Sequence, residues 1–357
     1  MGRRVRLGLA GLGRMGRLHA ANLSRSRSIE LVRVVDALEE VARTTGEELG
    51  VEWSTSYEDL LRDSEIEGVV LVTPTPLHAE MLEEAAKAGK HVFCEKPIAL
   101  EVEPTVRAIQ AAAAAGVKLQ VGFHRRFDPD WVAATARIGA GELGDVHFFR
   151  TSLRDKRPPS IEYVAGAGGF FADVTIHDLD TARWMVGEID EVTAFGAVLS
   201  DPGYADLGDI DHAVVALRFA SGALGVIDNS RAAGYGYECS TEVMGSRATV
   251  RVDRHRRVHN EWLTPGMASI EWVADFQELF QQAYQLELED FAAAIRDDRP
   301  ARSHRRGRSG RVYPRPGVRP LLSGGPDPAP AARGWPARRD VRAHGGGVTS
   351  RDGAPRR

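Results

Sequence analysis

The apolar run His91–Cys94 ends in Glu95-Lys96-Pro97, placing a carboxylate, an ammonium and a ring-locked backbone side by side where a buried strand should stop. Glu95 and Lys96 could form a surface ion pair, or Lys96 could point into a ligand crevice, and spacing alone supports both. Pro97 fixes φ and removes an amide donor, so the turn it enters is stiff. A second constellation lies in "GGFFADVTIHDLDTARWM". If helical, from about Phe171 to Val186, it puts Asp173 and His177 on one face, with Asp180 and Thr181 one turn beyond. A carboxylate beside an imidazole can orient the ring and raise its basicity, as a general base requires. The same residues also read as a solvated acidic face, or as a metal site drawing on Asp173, His177 and Asp180. The metal reading is the weakest, because a convincing site wants three or more convergent ligands and no second cluster stands at ligand spacing. No metal is expected.

A third stretch, "GLAGLGRMGRLHA", holds Gly11, Gly13 and Gly16 in the spacing G-x-G-x-x-G. Such glycines allow a tight turn, close approach of a pyrophosphate and close helix–strand packing, while the helix N-terminus supplies amide donors. Asp36 closes the next apolar run, where an acid that binds ribose hydroxyls belongs. A carboxylate there repels a 2′-phosphate, and Ala37 offers no compensating cation, so NAD is favoured over NADP. The expected cofactor set is Gly11, Leu12, Gly13, Arg14, Met15, Gly16, Asp36, Thr73, Pro74, Glu95 and Lys96.

The elements around these motifs change character near residue 122. Before it, "VRLGLA", "LVRVVD", "GVVLVT", "HVFC" and "VKLQVG" are nearly all apolar, as strands buried on both faces are. Helix formers between them end at Gly89 and Gly116. That alternation predicts an α/β fold with a doubly wound parallel sheet. After residue 123 longer amphipathic strands turn at Ser221-Gly222 and Gly245-Ser246, which predicts a large, open, mostly antiparallel sheet. The stretch "FQELFQQAYQLELEDFAAAIRDD" reads as one long helix. The expected division is 1–122 for the dinucleotide, 123–300 for substrate and oligomerisation, and 301–357 as a tail.

With 357 residues, two domains are the default expectation. No long apolar run suggests a membrane span, Cys94 and Cys239 are too few for a disulfide framework, and the expected setting is cytoplasmic. The net charge of -4 conceals two unlike pieces. Residues 301–357 carry 14 Arg, no Lys and 3 Asp, so the body before them is strongly acidic, which argues against nucleic acid as a partner.

In this order, "GLAGLGRMGRLHA", "VTPTPLHAEM", "CEKPIAL", "GFHRRFDP" and "ADVTIHDLDTARW" resemble the Gfo/Idh/MocA oxidoreductases over about residues 4–300. "RDKRPP" and "GDIDHAVVALRFASGALGVIDNSRAAGYGYE" look most like the inositol 2-dehydrogenase branch. The resemblance implies a Rossmann domain, then an α/β domain whose open sheet covers the active site and often makes an oligomer interface, so a dimer or tetramer is expected. It implies that Lys96, Asp173 and His177 are catalytic, with His177 as base, Asp173 steadying it and Lys96 bonding the reacting oxygen. It places Arg125 or Arg126, and Tyr235 or Tyr237, on the substrate pocket. Arg154, Asp155, Asn229 and Arg231 are further polar groups suited to a polyol. The implied activity is NAD-dependent oxidation of a ring hydroxyl of a cyclic polyol or sugar. An NAD-using glycoside hydrolase of the same fold and a catalytically impaired NAD-binding protein are the alternatives.

The tail departs from the family. Gly, Pro and Arg make up 32 of the last 57 residues, where relatives carry a closing helix and strand. Such composition predicts disorder. It reads either as a basic interaction arm or, preferably, as translation in a shifted frame.

Overall fold

A computed structural model describes residues 3–253, 256–258 and 261–302. Beyond residues 301 and 302, the reading of the tail falls outside the described residues.

The first half is built from short strands that, apart from one edge strand, are mostly apolar and largely buried. They are β1 (Val5–Ala10), β2 (Ile29–Val35), β3 (Glu52–Ser54), β4 (Gly68–Leu71), β5 (His91–Cys94) and β6 (Leu119–Val121). All pair in parallel, in the order β3-β2-β1-β4-β5-β6. Helices α1 (Arg14–Arg25), α2 (Glu39–Leu49), α3 (Glu58–Arg62), α4 (Thr75–Lys87) and α5 (Val102–Ala114) connect them. Strand order reverses between β1 and β4, and the carboxyl ends there open a crevice in which such sheets bind ligands. The edge strand β3 is an addition to the expected five. Its three residues are half-buried or exposed, so they carry no apolar signal.

The second sheet contains β7 (Val146–Arg154), β8 (Ile189–Ala197), β9 (His212–Phe219), β10 (Leu224–Ser230), β11 (Glu238–Gly245) and β12 (Thr249–Asp253). Its order is β12-β11-β7-β10-β9-β8, with β7 and β10 parallel and the other neighbours antiparallel. Strict alternation in β9 buries Ala213, Val215, Leu217 and Phe219 while Val214, Ala216 and Arg218 face outward. The inner face packs with α6 (Pro129–Gly139) and α8 (Ile176–Met185) into one core around Trp131, Phe149, Ile227 and Val243. Short helices α7 (Ile161–Gly166) and α9 (Gly203–Asp206) and a hairpin of β13 (Trp262–Thr264) and β14 (Met267–Ser269) complete this half.

The long C-terminal helix is split. Helix α10 (Phe276–Leu279) stops at Phe280, whose φ of -106° and ψ of 17° are not helical, and α11 (Gln281–Arg296) follows. Phe280 is fully buried, with its ring 4.4 Å from His124 and 5.6 Å from Trp131, so tertiary packing overrides the helical period. Leu288, Phe291 and Ala292 of α11 then join Val5, Leu7 and Phe93 in the core of the first sheet. Among the described residues no helix is long and apolar enough to cross a membrane. Cys94 and Cys239 are free and buried.

Candidate active site

The glycine turn between β1 and α1 is fitted to a close-lying ligand. Gly11 has a φ of 93°, and a Cβ there would lie 2.6 Å from the Val72 backbone. At Gly16 a Cβ would come 1.9 Å from the Gly11 carbonyl oxygen, so α1 can approach its strand only without one. A Cβ on Gly13 would meet nothing within 4 Å, leaving the outer side of the turn open at the helix N-terminus. Asp36 follows the end of β2 and accepts from the Leu12 amide at 2.7 Å and the Leu38 amide at 3.0 Å. Its carboxylate is held beside the turn with lone pairs to spare for hydroxyl donors. Turn, helix terminus and acid together fit the adenosine and pyrophosphate part of NAD. Thr73 and Pro74 leave β4 against Gly11, where a Cβ would be 2.7 Å from the Thr73 amide nitrogen.

Arg14, Met15, Glu95 and Lys96 continue from this edge into a cleft of about 590 Å³. Its walls include Asp155, Tyr163, Asp173, His177, Arg231 and Tyr237. Lys96 crosses from the first half to the second: Nζ donates to the Asp173 backbone carbonyl at 2.8 Å and to its carboxylate at 3.2 Å. The carbonyl is presented by local backbone geometry. Residues Phe171–Thr175 form a π-type turn, with the Ile176 amide bonded to Phe171 O, before regular helix resumes. Such bulges recur at functional sites because they loosen the helical ladder. The Lys96–Pro97 peptide is cis. His78, a residue that no sequence motif singles out, ties this turn to the β4 exit: Nδ1 lies 2.8 Å from Pro97 O and Nε2 lies 2.7 Å from Thr73 O.

Asp173 does not orient His177. Its carboxylate takes Lys96, Arg231 Nη1 at 3.0 Å and Tyr163 Oη at 3.2 Å. The pairing expected from a four-residue spacing gives way because the π-type turn re-aims the side chain. Burial pushes Asp173 up, but Lys96 and Arg231 outweigh it and hold the carboxyl below its usual range. His177 instead packs on rings, 5.0 Å from His124 and 6.5 Å from Phe123. Burial, then Lys96, His124 and Arg125, push His177 well below the ordinary imidazole value. The ring is neutral at physiological pH and free to accept a proton.

The five expected substrate residues divide by strand register and by ion pairing. Arg125 and Tyr237 line the cleft; Arg126, Arg154 and Tyr235 do not. Arg125 is 2% exposed and donates to Asp178 at 2.5 Å, while Thr151 and Asn229 satisfy the same carboxylate at 3.0 and 2.8 Å. Arg126 pairs with Asp180 at 2.7 Å and lies over Trp184. Leu153 of β7 lines the cleft, so Arg154, one residue on, points to the opposite face of the sheet. There it binds Asp228 at 2.5 Å, Glu238 at 3.2 Å and Tyr235 at 2.9 Å. Asp155 reaches the cleft from beyond the strand end. Burial pushes it up to about 6, helped by Asp173 and opposed by Arg231.

A model of an oxidoreductase family with an NAD-binding Rossmann fold matches residues 5–123, and a Gfo/Idh/MocA C-terminal domain model matches residues 131–251. The chain belongs to the Gfo/Idh/MocA oxidoreductase family. A scyllo-inositol 2-dehydrogenase (NAD(+)) of Bacillus subtilis is 39% identical over 300 residues, 83% of this chain and 88% of that protein. A myo-inositol 2-dehydrogenase of Thermotoga maritima is 40% identical over 302 residues, 83% of this chain and 90% of that one. The scyllo-inositol dehydrogenase structure from Lactobacillus casei with bound NAD(H) and scyllo-inositol superposes with a TM-score of 0.79 at 28% identity, covering 84% of this chain and 91% of that chain. Family membership accounts for the two halves: the parallel sheet is the Rossmann fold, and the mixed sheet is the second domain.

Proposed function

We propose that this Gfo/Idh/MocA enzyme oxidises a secondary ring hydroxyl of a cyclic polyol of the inositol type to a ketone with NAD. The carrying observation is the convergence of Lys96, Asp173 and His177 in one cleft that opens from the carboxyl edge of the Rossmann sheet. NAD, when bound, supplies the hydride acceptor. Everything else falls to the chain. His177, neutral and partly desolvated, accepts the hydroxyl proton on a ring nitrogen. Lys96 donates a hydrogen bond to the oxygen as negative charge builds on it, the role of a pre-aimed cation. Asp173 is a positioning residue that holds the ammonium by carboxylate and carbonyl together. Arg125, Asp155, Arg231 and Tyr237 supply the donors and acceptors that a ring of hydroxyls needs.

We assign residues 1–122 to the cofactor and 123–300 to substrate, with α11 returning to brace the first sheet. A homo-oligomer is supported by the outer face of the second sheet, where Phe195, Val214, Leu224 and Met244 lie exposed. A cytoplasmic setting is supported by two free thiols. The test is NADH absorbance on adding myo-inositol, scyllo-inositol and a panel of aldoses to the protein with NAD. NADH formation with an inositol is the expected result. Sugar release from glycosides without net NADH would overturn the proposal.

A further inference from the structure

Three buried side chains from three elements meet one residue before Lys96. His19 on α1, Glu95 after β5 and Glu287 on α11 each bring an atom within 4.8 Å of the others. His19 Nε2 is 2.7 Å from Glu95 Oε1, and Glu95 Oε2 accepts from the Lys96 amide at 3.1 Å. Glu287 is 0% exposed, yet no donor among the described residues reaches either of its carboxyl oxygens. Gln120 of β6 leans on the same helix, donating Nε2 to the Glu287 backbone carbonyl at 2.7 Å.

Two carboxylates this close and this dry cannot both carry charge, because each would need a desolvation cost offset by donors. Glu95 has such donors in His19 and the Lys96 amide. Glu287 has none, and so the proton of the pair belongs on Glu287. Burial and then the charge of Glu95 push Glu287 well up, whereas His19 and Lys96 outweigh burial at Glu95 and hold it below its usual range. The groups facing the pair are His19 from α1, Lys96 from the β5 exit, the neutral Gln120 from β6 and Tyr284 from α11 itself. A divalent cation gripped by the same three atoms would need Glu287 ionised and would sit near the Lys96 ammonium, which opposes it.

We propose that Glu287 is a positioning residue that keeps its proton and donates it in a hydrogen bond to ionised Glu95, fixing the turn that carries Lys96. This rests on Lys96 acting on the substrate, as proposed above. The test compares Glu287→Gln and Glu287→Leu in the full chain, with folding followed by circular dichroism. Gln reproduces the donor and acceptor of the protonated acid, and kcat and its pH profile should stay near the parent. Leu fills the space without a donor, and kcat should fall about 10- to 100-fold, the cost of a slightly misplaced group, with KM for NAD little changed. A Leu variant as active as the parent would reduce Glu287 to packing and overturn the proposal. A Gln variant as poor as Leu would show that an ionised carboxylate is required, and would overturn it too. Infrared difference spectra read protonation without turnover: a carboxylic-acid carbonyl band at neutral pH should vanish in Glu287→Gln, and its absence from the parent overturns the proposal. An active Lys96→Met variant, by contrast, would sink the reading of Lys96 while leaving that band in place.

Discussion

Lys96 Nζ is bonded to Asp173 twice, through the backbone carbonyl at 2.8 Å and the carboxylate at 3.2 Å. The two residues lie 77 positions apart, one beyond β5 of the parallel sheet and the other between β7 and β8 of the mixed sheet, so this link ties the two sheets' connections together. Replacing Lys96 by Met removes the charge and keeps the length. Turnover should be abolished while the NAD dissociation constant, measured by protein fluorescence, changes little. Asp173→Asn keeps the shape and the carbonyl contact but loses the negative charge, and kcat should fall by about 10²-fold, a typical loss when an electrostatic support is removed. Equal losses in KM for NAD would contradict the assignment.

His177 sits among positive neighbours, and its depressed basicity has a visible consequence. A wild-type ring stays neutral well below pH 6.5, so the acid limb of kcat should not fall at the ordinary imidazole value. Substitution by Gln should lower kcat by about 10²- to 10⁴-fold, the usual contribution of a general base. The sign for stability follows from the same shift. A histidine whose folded value is below its unfolded one contributes stability that is present above about pH 6.5 and lost as pH falls through the folded value. His177→Gln should therefore be less sensitive than the parent to mild acid in thermal melts.

How much of this was legible in the chain differs from residue to residue. The parallel strands were readable because burial on both faces leaves continuous apolar runs, whereas β3 was not, being a three-residue edge. The break at Phe280 could not be read, since an apolar residue there suits the helical period and only its packing on His124 and Trp131 ends the helix. Arg154 looked as eligible as Arg125 for substrate contact. Strand alternation separates it from the cleft, and with Leu153 placed inward the parity alone would have excluded Arg154. The Lys96–Asp173 bond had no spacing to betray it. Glu287 did leave a trace, a carboxylate beside Leu288 in a helix face otherwise apolar, which is a polar group at a core position and a reason to look for partners.

Asp155 should make polyol binding depend on pH. Raised to about 6, it is mostly neutral at pH 5 and ionised at pH 8, and the ionised form accepts hydroxyl hydrogen bonds more strongly. KM for the polyol should drop as pH rises through 6, and the drop should disappear in Asp155→Asn. Stability moves the other way. A carboxyl whose folded value exceeds its unfolded value contributes stability below the unfolded value that is lost as pH rises through the folded one. Asp155→Asn should thus stabilise the apoprotein near pH 8 by about 1–2 kcal/mol, discounted for partial solvent access, in chemical denaturation.

Asp36 should set cofactor choice. Its carboxylate braces the Leu12 amide, and Ala37 beside it offers no cation to accept a phosphate. In Asp36→Ala the loss of a charge-assisted hydrogen bond, about 1.5–3 kcal/mol, should weaken NAD binding by at least 10-fold. Relief of repulsion should leave NADP binding unchanged or improved, so the preference narrows from both sides. Titration calorimetry with each dinucleotide checks this, and an unchanged NAD-to-NADP ratio would remove Asp36 from the cofactor set.

The Arg125–Asp178 pair should be costly to break. Both side chains are almost fully buried at 2.5 Å, and Asp178 also takes Thr151 and Asn229. Arg125→Met strands a buried charge, and denaturant melts should show a loss of about 3–5 kcal/mol. Removing both charges in Arg125→Met with Asp178→Leu should recover part of that loss, because the cost comes from the uncompensated carboxylate rather than from the missing bond. Activity tests for a second role of Arg125 at the cleft wall: if it also binds polyol, the double variant should refold with part of the stability recovered but KM for the substrate still raised. Recovery of KM along with stability would leave Arg125 a structural residue and pass substrate contact to Asp155, Arg231 and Tyr237.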